Sequence, residues 1–243
     1  MSSLSPHLKK YQKKDNYSYT LGIHPTLELL ESKPEKALKV VIAESGRKNT
    51  KVQPIIELCR KNNIRVEFNN KAIHKVAIKE NTYVVGCFSK YIGALGSDQS
   101  HIVLVNPVDT GNLGTIIRTM AAFDFSNLAI ISPGVDIFSP KVILSAMGTF
   151  FKVNVQYFES FKLYQQKFPH YSAYAFVLNK AQSIQKVKFK EPASLVFGSE
   201  SQGLQKEIIQ ASQPVYIPQS KNIDSLNLSA AVAIALWEIH TSG

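Results

Sequence analysis

Asn106-Pro107-Val108-Asp109-Thr110-Gly111-Asn112-Leu113-Gly114-Thr115-Ile116-Ile117-Arg118-Thr119 follows directly on the apolar run Ile102-Val103-Leu104-Val105. An uncharged run of that length reads as a buried strand, and what comes after it reads as a helix. Leu113, Ile116, Met120 and Phe123 recur at helical spacing and belong to a core. Asn112 stands where a helix N-cap is wanted, and Gly111 and Gly114 let backbone approach closely. Arg118 shares a face with Gly114, Thr115 and Ala122. That face is small and polar, so a ligand can lie on it beneath a guanidinium fork; the competing reading is a solvated surface cation. A strand entering a helix through small polar residues is how an α/β protein builds a ligand site. Gly111 and Gly114 do not complete G-x-G-x-x-G, so the stretch is a poor match to an ordinary dinucleotide fingerprint.

Two more strand ends repeat the pattern. Leu195-Val196-Phe197 runs into Gly198-Ser199-Glu200-Ser201-Gln202-Gly203-Leu204. Two glycines bracket polar residues there, and the spacing predicts a helix over 203–210. Helix-start amides can take a carboxylate or phosphate, and Glu200 can meet a cation, amine or hydroxyl. Equally, Glu200 can be an acid favoured by a helix dipole. The last, Val215-Tyr216-Ile217-Pro218, is followed seven residues on by Ser225-Leu226-Asn227-Leu228-Ser229. Ser225 reads as the N-cap of a helix over 226–239 that carries no charge until Glu238. A helix that apolar is buried on most faces, in a core or at a subunit interface, and Asn227 within it must find hydrogen-bond partners.

Working outward, strands are expected at 101–106, 127–131, 151–156, 172–178, 194–197 and 214–217. Helices alternate with them at 112–124, 140–147, 159–167, 203–210 and 226–239. That alternation implies α/β architecture, a mainly parallel sheet with helices on both faces. A smaller α/β pattern precedes it, with helices at 24–32, 52–61 and 72–77 and strands at 38–43, 64–68 and 83–88. The expected organisation is a basic flexible tail over 1–20, a small domain over 21–88, a linker over 89–100 and a second domain over 101–243. Gly93, Gly96, Ser97 and Asp98 break the pattern in the linker. In the tail, Lys9, Lys10, Lys13 and Lys14 with Tyr11, Tyr17 and Tyr19 can lie on RNA, or simply be solvated.

Lys and Arg total 28 against 18 Asp and Glu, a formal charge of +10, which favours an anionic partner such as nucleic acid. At 243 residues and 44% hydrophobic content, a sizeable core can be buried. Cys59 and Cys87 make no metal spacing and no secreted framework, and six scattered histidines have no ligand partner, so no metal is expected. There is no signal-like segment and no run of membrane-spanning length. A reduced, cytoplasmic protein is expected.

Taken in order, the three strand-end signatures resemble those of the SpoU/TrmH family of RNA ribose methyltransferases. The resemblance covers 102–239. It extends weakly to 21–88, where Gly22-Ile23-His24-Pro25-Thr26-Leu27-Glu28-Leu29-Leu30 is similar to the opening of that family's ribosomal-protein-like substrate-binding domain. Ser139-Pro140-Lys141-Val142 and Ser145-Ala146-Met147-Gly148 are also similar to family sequence. The resemblance implies a C-terminal deep trefoil knot, an exception to the unknotted rule, and a homodimer. It implies methyl transfer from S-adenosylmethionine to a ribose 2′-hydroxyl of RNA. The implied catalytic set is Arg118, Asn112, Glu200, Ser225 and Asn227. The implied cofactor-binding set is Leu178, Phe197, Gly198, Glu200, Gly203, Ile217, Pro218, Ser225, Leu226 and Asn227. Thr110 replaces a frequent proline and Ser201 a frequent glycine, which puts substrate choice in doubt more than activity.

A sulfonium methyl needs no activation, so the protein must orient the pair and assist loss of the hydroxyl proton. The resemblance assigns proton removal to Arg118, yet arginine stays protonated in proteins. Holding a phosphate and stabilising developing oxyanion charge is the alternative role. Ribosomal RNA is the expected substrate, since a separate domain of that kind suits folded RNA read by shape. Transfer RNA is the alternative. Other readings are a non-catalytic RNA-binding protein of the same fold and a related knotted enzyme acting on a base nitrogen. Residues 21–88 are expected to select the RNA.

Overall fold

A computed structural model of the chain describes residues 6–178, 181–220 and 222–242. In chain order the first elements are β1 (Tyr17–Leu21), α1 (Ile23–Ser32), β2 (Ala37–Ile42), α2 (Gln53–Lys61), β3 (Arg65–Phe68), α3 (Asn70–Val76) and β4 (Val84–Ser89). Then come β5 (His101–Val105), α4 (Thr110–Ala122), β6 (Asn127–Ile131), α5 (Pro140–Ser145), β7 (Asn154–Phe158), α6 (Phe161–Lys167) and β8 (Ser172–Phe176). The last are β9 (Gln182–Ser183), β10 (Ala193–Phe197), α7 (Lys206–Gln210), β11 (Gln213–Tyr216) and α8 (Leu228–Ser242). The chain divides into two compact units. One holds the residues up to Tyr91 together with Asp136–Lys152; the other holds Ile92–Val135 and the residues from Val153 onward.

The first unit is built on a four-stranded sheet in the order β1-β4-β2-β3. β4 pairs antiparallel with both β1 and β2, while β2 and β3 are parallel. β1 is an element the sequence hides. Its five residues are all buried, although Ser18 and Thr20 are polar. Each hydroxyl is satisfied: Ser18 Oγ donates to the Phe138 carbonyl, and Thr20 Oγ1 lies 2.8 Å from Thr26 Oγ1. Thr20 Oγ1 also accepts from Gly86 N at 3.0 Å, and a Cβ at Gly86 would sit 2.4 Å from that oxygen, so β4 needs glycine there.

The tail expected over 1–20 is therefore largely part of the fold. Its first five residues lie outside the described ones, but Leu8 is buried, and the Tyr19 hydroxyl donates to Lys9 O at 3.0 Å. Tyr17 and Tyr19 pack in the core with Leu8, Val41 and Ile73 and are not available to stack on bases. The second difference concerns 136–152. The sequence pattern places it in the second domain, but α5 lies on β1, and Phe138, Phe150 and Phe151 cluster around Phe88. That affiliation comes from contacts between segments far apart in sequence, which local periodicity does not carry.

The second unit is a seven-stranded sheet in the order β7-β6-β5-β10-β8-β11-β9, with every pair parallel. Val103, Ala129 and Val196 from its strands pack with Phe161 and Tyr164 of α6 and Ile208 of α7. The segment read as a tether is pinned here. Leu95 is buried in that core, Gly96 N donates to Asn127 Oδ1 at 2.9 Å, and a Cβ at Gly93 would strike the Val155 backbone at 2.7 Å.

At the start of β5, His101 is fully buried. Its Nε2 meets Gly96 O at 2.7 Å, and its Nδ1 meets Tyr164 Oη at 2.9 Å, which in turn lies 2.6 Å from Ser194 Oγ. Burial holds the imidazole below its usual pKa, against a smaller opposing effect of the Gly96 carbonyl. The unfolded chain then takes up the proton first as pH falls. The stability this residue contributes is complete above the ordinary histidine value of about 6.5 and drains away as pH drops below it. Thermal melts from about pH 8 to pH 5 should show the parent losing more stability than His101→Asn over the acid part of the range. Identical pH dependence in the two proteins would remove His101 as the cause.

Candidate functional site

The three strand-end signatures meet in the second unit. α4 starts one residue after Asp109, whose Oδ1 accepts the Asn112 backbone N–H at 2.6 Å. Asp109, not Asn112, is thus the N-cap, and the Asn112 side chain is left for other partners. Its Nδ2 donates to Glu200 Oε1, and its Oδ1 accepts from Asn227 Nδ2 at 3.1 Å. Asn227 in turn precedes α8 and caps it, since its Oδ1 accepts from Ser229 N at 2.9 Å and from Ser229 Oγ at 2.7 Å. Capping therefore falls to Asn227 rather than to Ser225. One residue from each signature joins a single chain of side-chain hydrogen bonds, across 88 and 115 positions of sequence.

Glu200 also lines a cavity of about 320 Å³ at the carboxyl ends of β8, β10 and β11, the edge where open α/β sheets take ligands. Phe176 and Phe197 stack in it with ring centroids 4.3 Å apart and planes within 10°. Leu178, Ile217 and Leu226 add apolar wall, and Ser199, Gln202 and Ser225 add polar groups. Of the expected cofactor residues, Leu178, Phe197, Gly198, Glu200, Gly203, Ile217, Ser225 and Leu226 line this cavity, whereas Pro218 and Asn227 do not. Pro218 is exposed beside it in sequence. Phe176, Val177, Gln219, Leu228 and Ala231 also line the cavity and were not among the expected residues. For Phe176 a signal was available, as an aromatic closing the strand Ser172–Phe176.

The turn carrying Glu200 is tightly closed. Gly203 N donates to Ser199 O at 2.9 Å, and Ser199 Oγ accepts from Gln202 N at 3.3 Å. A Cβ on Gly198 would lie 2.2 Å from the carbonyl carbon of Gly203, a contact only glycine avoids. Gly203 itself has φ +63, the left-handed region that favours glycine. α7 begins only at Lys206, so Glu200 belongs to this turn and not to a helix start.

Arg118 is exposed, and its guanidinium has no partner among the described residues. It stands six residues beyond Asn112, about 9 Å along α4. The structure thus binds Asn112, Glu200 and Asn227 together directly and leaves Arg118 and Ser225 outside that chain of bonds. Among the described residues, no three His, Cys, Asp or Glu side chains are placed to hold a metal ion, and no helix is long and apolar enough to cross a membrane.

Sequence and fold comparisons place the whole chain. Residues 99–237 match the SpoU rRNA Methylase family, and residues 19–81 match the RNA 2′-O ribose methyltransferase substrate-binding family. A 23S rRNA (guanosine-2′-O-)-methyltransferase, RlmB, from Acinetobacter baylyi is 30% identical over 90% of this chain and 95% of its own length. A Synechocystis tRNA/rRNA methyltransferase is 34% identical over 56% of this chain, which spans only about half (51%) of that protein. The fold matches an AdoMet-bound rRNA methyltransferase from Sinorhizobium meliloti with TM-score 0.79 at 23% identity, over 93% of this chain and 88% of that one. It also matches the SpoU methyltransferase AviRb from Streptomyces viridochromogenes with TM-score 0.81 at 17% identity, over 93% and 90% of the two chains. At such identities the structural likeness speaks for the fold alone, while the family match covers more than half of the sequence. With its three signatures tied together by side-chain hydrogen bonds and both halves matched, the chain belongs to the SpoU family of RNA 2′-O-ribose methyltransferases.

Proposed function

We propose that the chain moves a methyl group from S-adenosylmethionine to a ribose 2′-hydroxyl of ribosomal RNA. The observation that carries this is the bonded set Asn112–Glu200–Asn227 at a cavity with an aromatic floor. The donor set suits that cofactor. Phe176, Phe197, Ile217 and Leu226 offer apolar surface to a purine, and Ser199, Gln202 and Ser225 offer hydrogen bonds to its polar ends. When bound, the cofactor supplies an electrophilic methyl on a sulfonium. This chain's residues then orient and stabilise. Asn112 fixes Glu200 through Oε1, leaving Oε2 for a ligand amine or hydroxyl. Asn227 fixes Asn112 and ties the set to the start of α8. Arg118, unpaired on the exposed face of α4, holds a phosphate beside the target ribose and stabilises the oxygen as it loses its proton.

The Acinetobacter relative, matched across both halves of the chain, supports ribosomal RNA as the substrate. Transfer RNA is the second reading, supported by a tRNA (guanosine(18)-2′-O)-methyltransferase of Thermus thermophilus that is 27% identical over 56% of this chain. Recognition of the RNA falls to the unit that holds residues 19–81. The C-terminal trefoil knot belongs to the same proposal, supported by the crossings that put β8 between β10 and β11. A cytoplasmic setting is supported by two free cysteines, both buried and unpaired.

Calorimetric titration with S-adenosylmethionine tests the cofactor claim. One saturable site per chain is expected. No saturable binding to folded protein at millimolar cofactor would favour the non-catalytic RNA-binding reading.

A homodimer is part of the proposal. Val232, Ala235 and Leu236 of α8 are buried, but Ile234 and Trp237 stand exposed one turn apart, with Phe123, just after α4, packed 6.2 Å from the Trp237 ring. Sedimentation should show a species of about twice 27.0 kDa at micromolar concentration, and Trp237→Glu should shift it to monomer by burying a charge at the contact. A parent sedimenting as a monomer would defeat the claim.

A further inference from the structure

We propose that Arg47 and Phe68, on the first unit, form a stacking plate for one unpaired nucleobase of the RNA; this rests on the reading of the chain as an RNA methyltransferase. The turn after β2 and the start of α3 are neighbours because Ile42 pairs with Phe68 at the ends of β2 and β3. Phe68 rests one side on the core of Leu30, Val40 and Ile55. Over its ring lies the Arg47 guanidinium, its carbon 3.7 Å from the ring centroid. Arg47 Nε donates to Glu44 Oε2 at 2.6 Å, which fixes the fork in place.

The turn beneath is built to hold that geometry. Asn70 Oδ1 accepts from Glu44 N at 2.9 Å, and Gln53 Nε2 donates to Arg47 O at 3.1 Å. Gly46 is buried in it, where a Cβ would come within 2.8 Å of the Ile42 side chain. The backbone contacts fix the turn, and the Glu44 carboxylate and the Phe68 ring together hold the Arg47 fork flat, although an exposed ion pair of this kind adds little to stability. The Arg47 side chain nonetheless remains 53% accessible.

The chemistry that matches a fixed, planar, cationic surface of this kind is a base face. Guanidinium planes and aromatic rings are the surfaces on which unstacked RNA bases lie. Lys48 and Lys51 in the same turn, and Lys71 beside Asn70, are exposed cations placed to meet the flanking phosphates. Between 44 and 53 the one acid, Glu44, is already paired with Arg47. No net negative charge is left there to repel the strand. The ligand is therefore a single-stranded or looped segment of RNA, held by one stacked base and its neighbouring phosphates, with no demand on base identity.

The test uses the full chain and a short oligouridylate carrying one 2-aminopurine, whose fluorescence is quenched on stacking. Saturable binding with quenching is expected for the parent. Both Arg47→Ala and Arg47→Lys should bind about tenfold more weakly and lose most of the quenching, since lysine keeps the charge but not the plane. The salt dependence of binding should weaken for Arg47→Ala and stay unchanged for Arg47→Lys. Phe68→Leu, checked by thermal melting, should behave like Arg47→Lys. If Arg47→Lys matches the parent, only charge acts there and the plate is wrong. If Arg47→Ala matches it too, Arg47 merely covers Phe68. A parent that methylates RNA while these variants bind as it does sinks the plate alone; a parent that neither binds nor methylates RNA sinks the functional reading with it.

Discussion

Replacing Arg118 with alanine is expected to lower methyl transfer about 100- to 1,000-fold, the usual cost of removing one preorganised oxyanion donor. Cofactor affinity and thermal stability should stay near those of the parent. The reason is positional. Arg118 is exposed on α4, lies outside the cofactor cavity and has no partner among the described residues, so its removal leaves no buried group unsatisfied. Arg118→Lys should recover only part of the activity, because an ammonium supplies charge without the fork. The two roles open to Arg118 separate in the pH profile. A proton acceptor must itself be deprotonated, so lysine in its place would move the rising limb of the profile to lower pH, whereas a phosphate and oxyanion ligand would lower the rate and leave that limb in place. Single-turnover rates for the three proteins decide it, and Arg118→Ala working within a few-fold of the parent would take Arg118 out of the site.

Gly198→Ala should damage a different step. Its Cβ would stand 2.2 Å from the Gly203 carbonyl carbon and 2.6 Å from Leu204 N, and both of those are backbone. The turn that carries Glu200 must move. Overpacking of that kind costs about 1–3 kcal/mol, and here the displaced atoms form the cavity wall. Binding of S-adenosylmethionine is expected to weaken at least about 100-fold, the loss of one well-placed wall and its hydrogen bonds. Gly203→Ala has open space around its Cβ and meets only the strain of φ +63, so it should be much milder. Calorimetry on both variants, with melts to confirm folding, checks this ordering. Equal cofactor affinity in Gly198→Ala and parent would show that the turn can yield without loss.

Much of the second unit was legible because its strand ends announce themselves. Apolar runs stop at glycine and small polar residues, and 127–131 was read to the residue. The errors at the site are informative. Asn112 and Ser225 are both good capping residues, yet Asp109 and Asn227 cap α4 and α8. Each pair lies within three positions, and propensity does not choose between neighbours. At Asn112, already inside α4, the side chain turns instead to Glu200 and Asn227, 88 and 115 residues away, which local sequence does not show. β1 was not legible for a similar reason. Alternating Tyr and Ser or Thr after a lysine-rich stretch looks solvated until the Phe138 carbonyl, 120 residues away, takes the Ser18 hydroxyl. The glycines at 93 and 96 signalled a loose tether, whereas a Cβ at Gly93 would strike the Val155 backbone and the Gly96 N–H is held by the Asn127 side chain.

The central claim is ribose 2′-O methylation, and one measurement addresses it directly. Ribosomal RNA from cells lacking the protein is incubated with the full chain and S-adenosylmethionine labelled at the methyl carbon, then digested to nucleosides and resolved by mass spectrometry. The account predicts label in a single 2′-O-methylnucleoside from one position, accumulating about 100- to 1,000-fold more slowly with Arg118→Ala. Label on a base, or folded protein that binds cofactor and RNA yet leaves every ribose unlabelled in both ribosomal and transfer RNA, would contradict it.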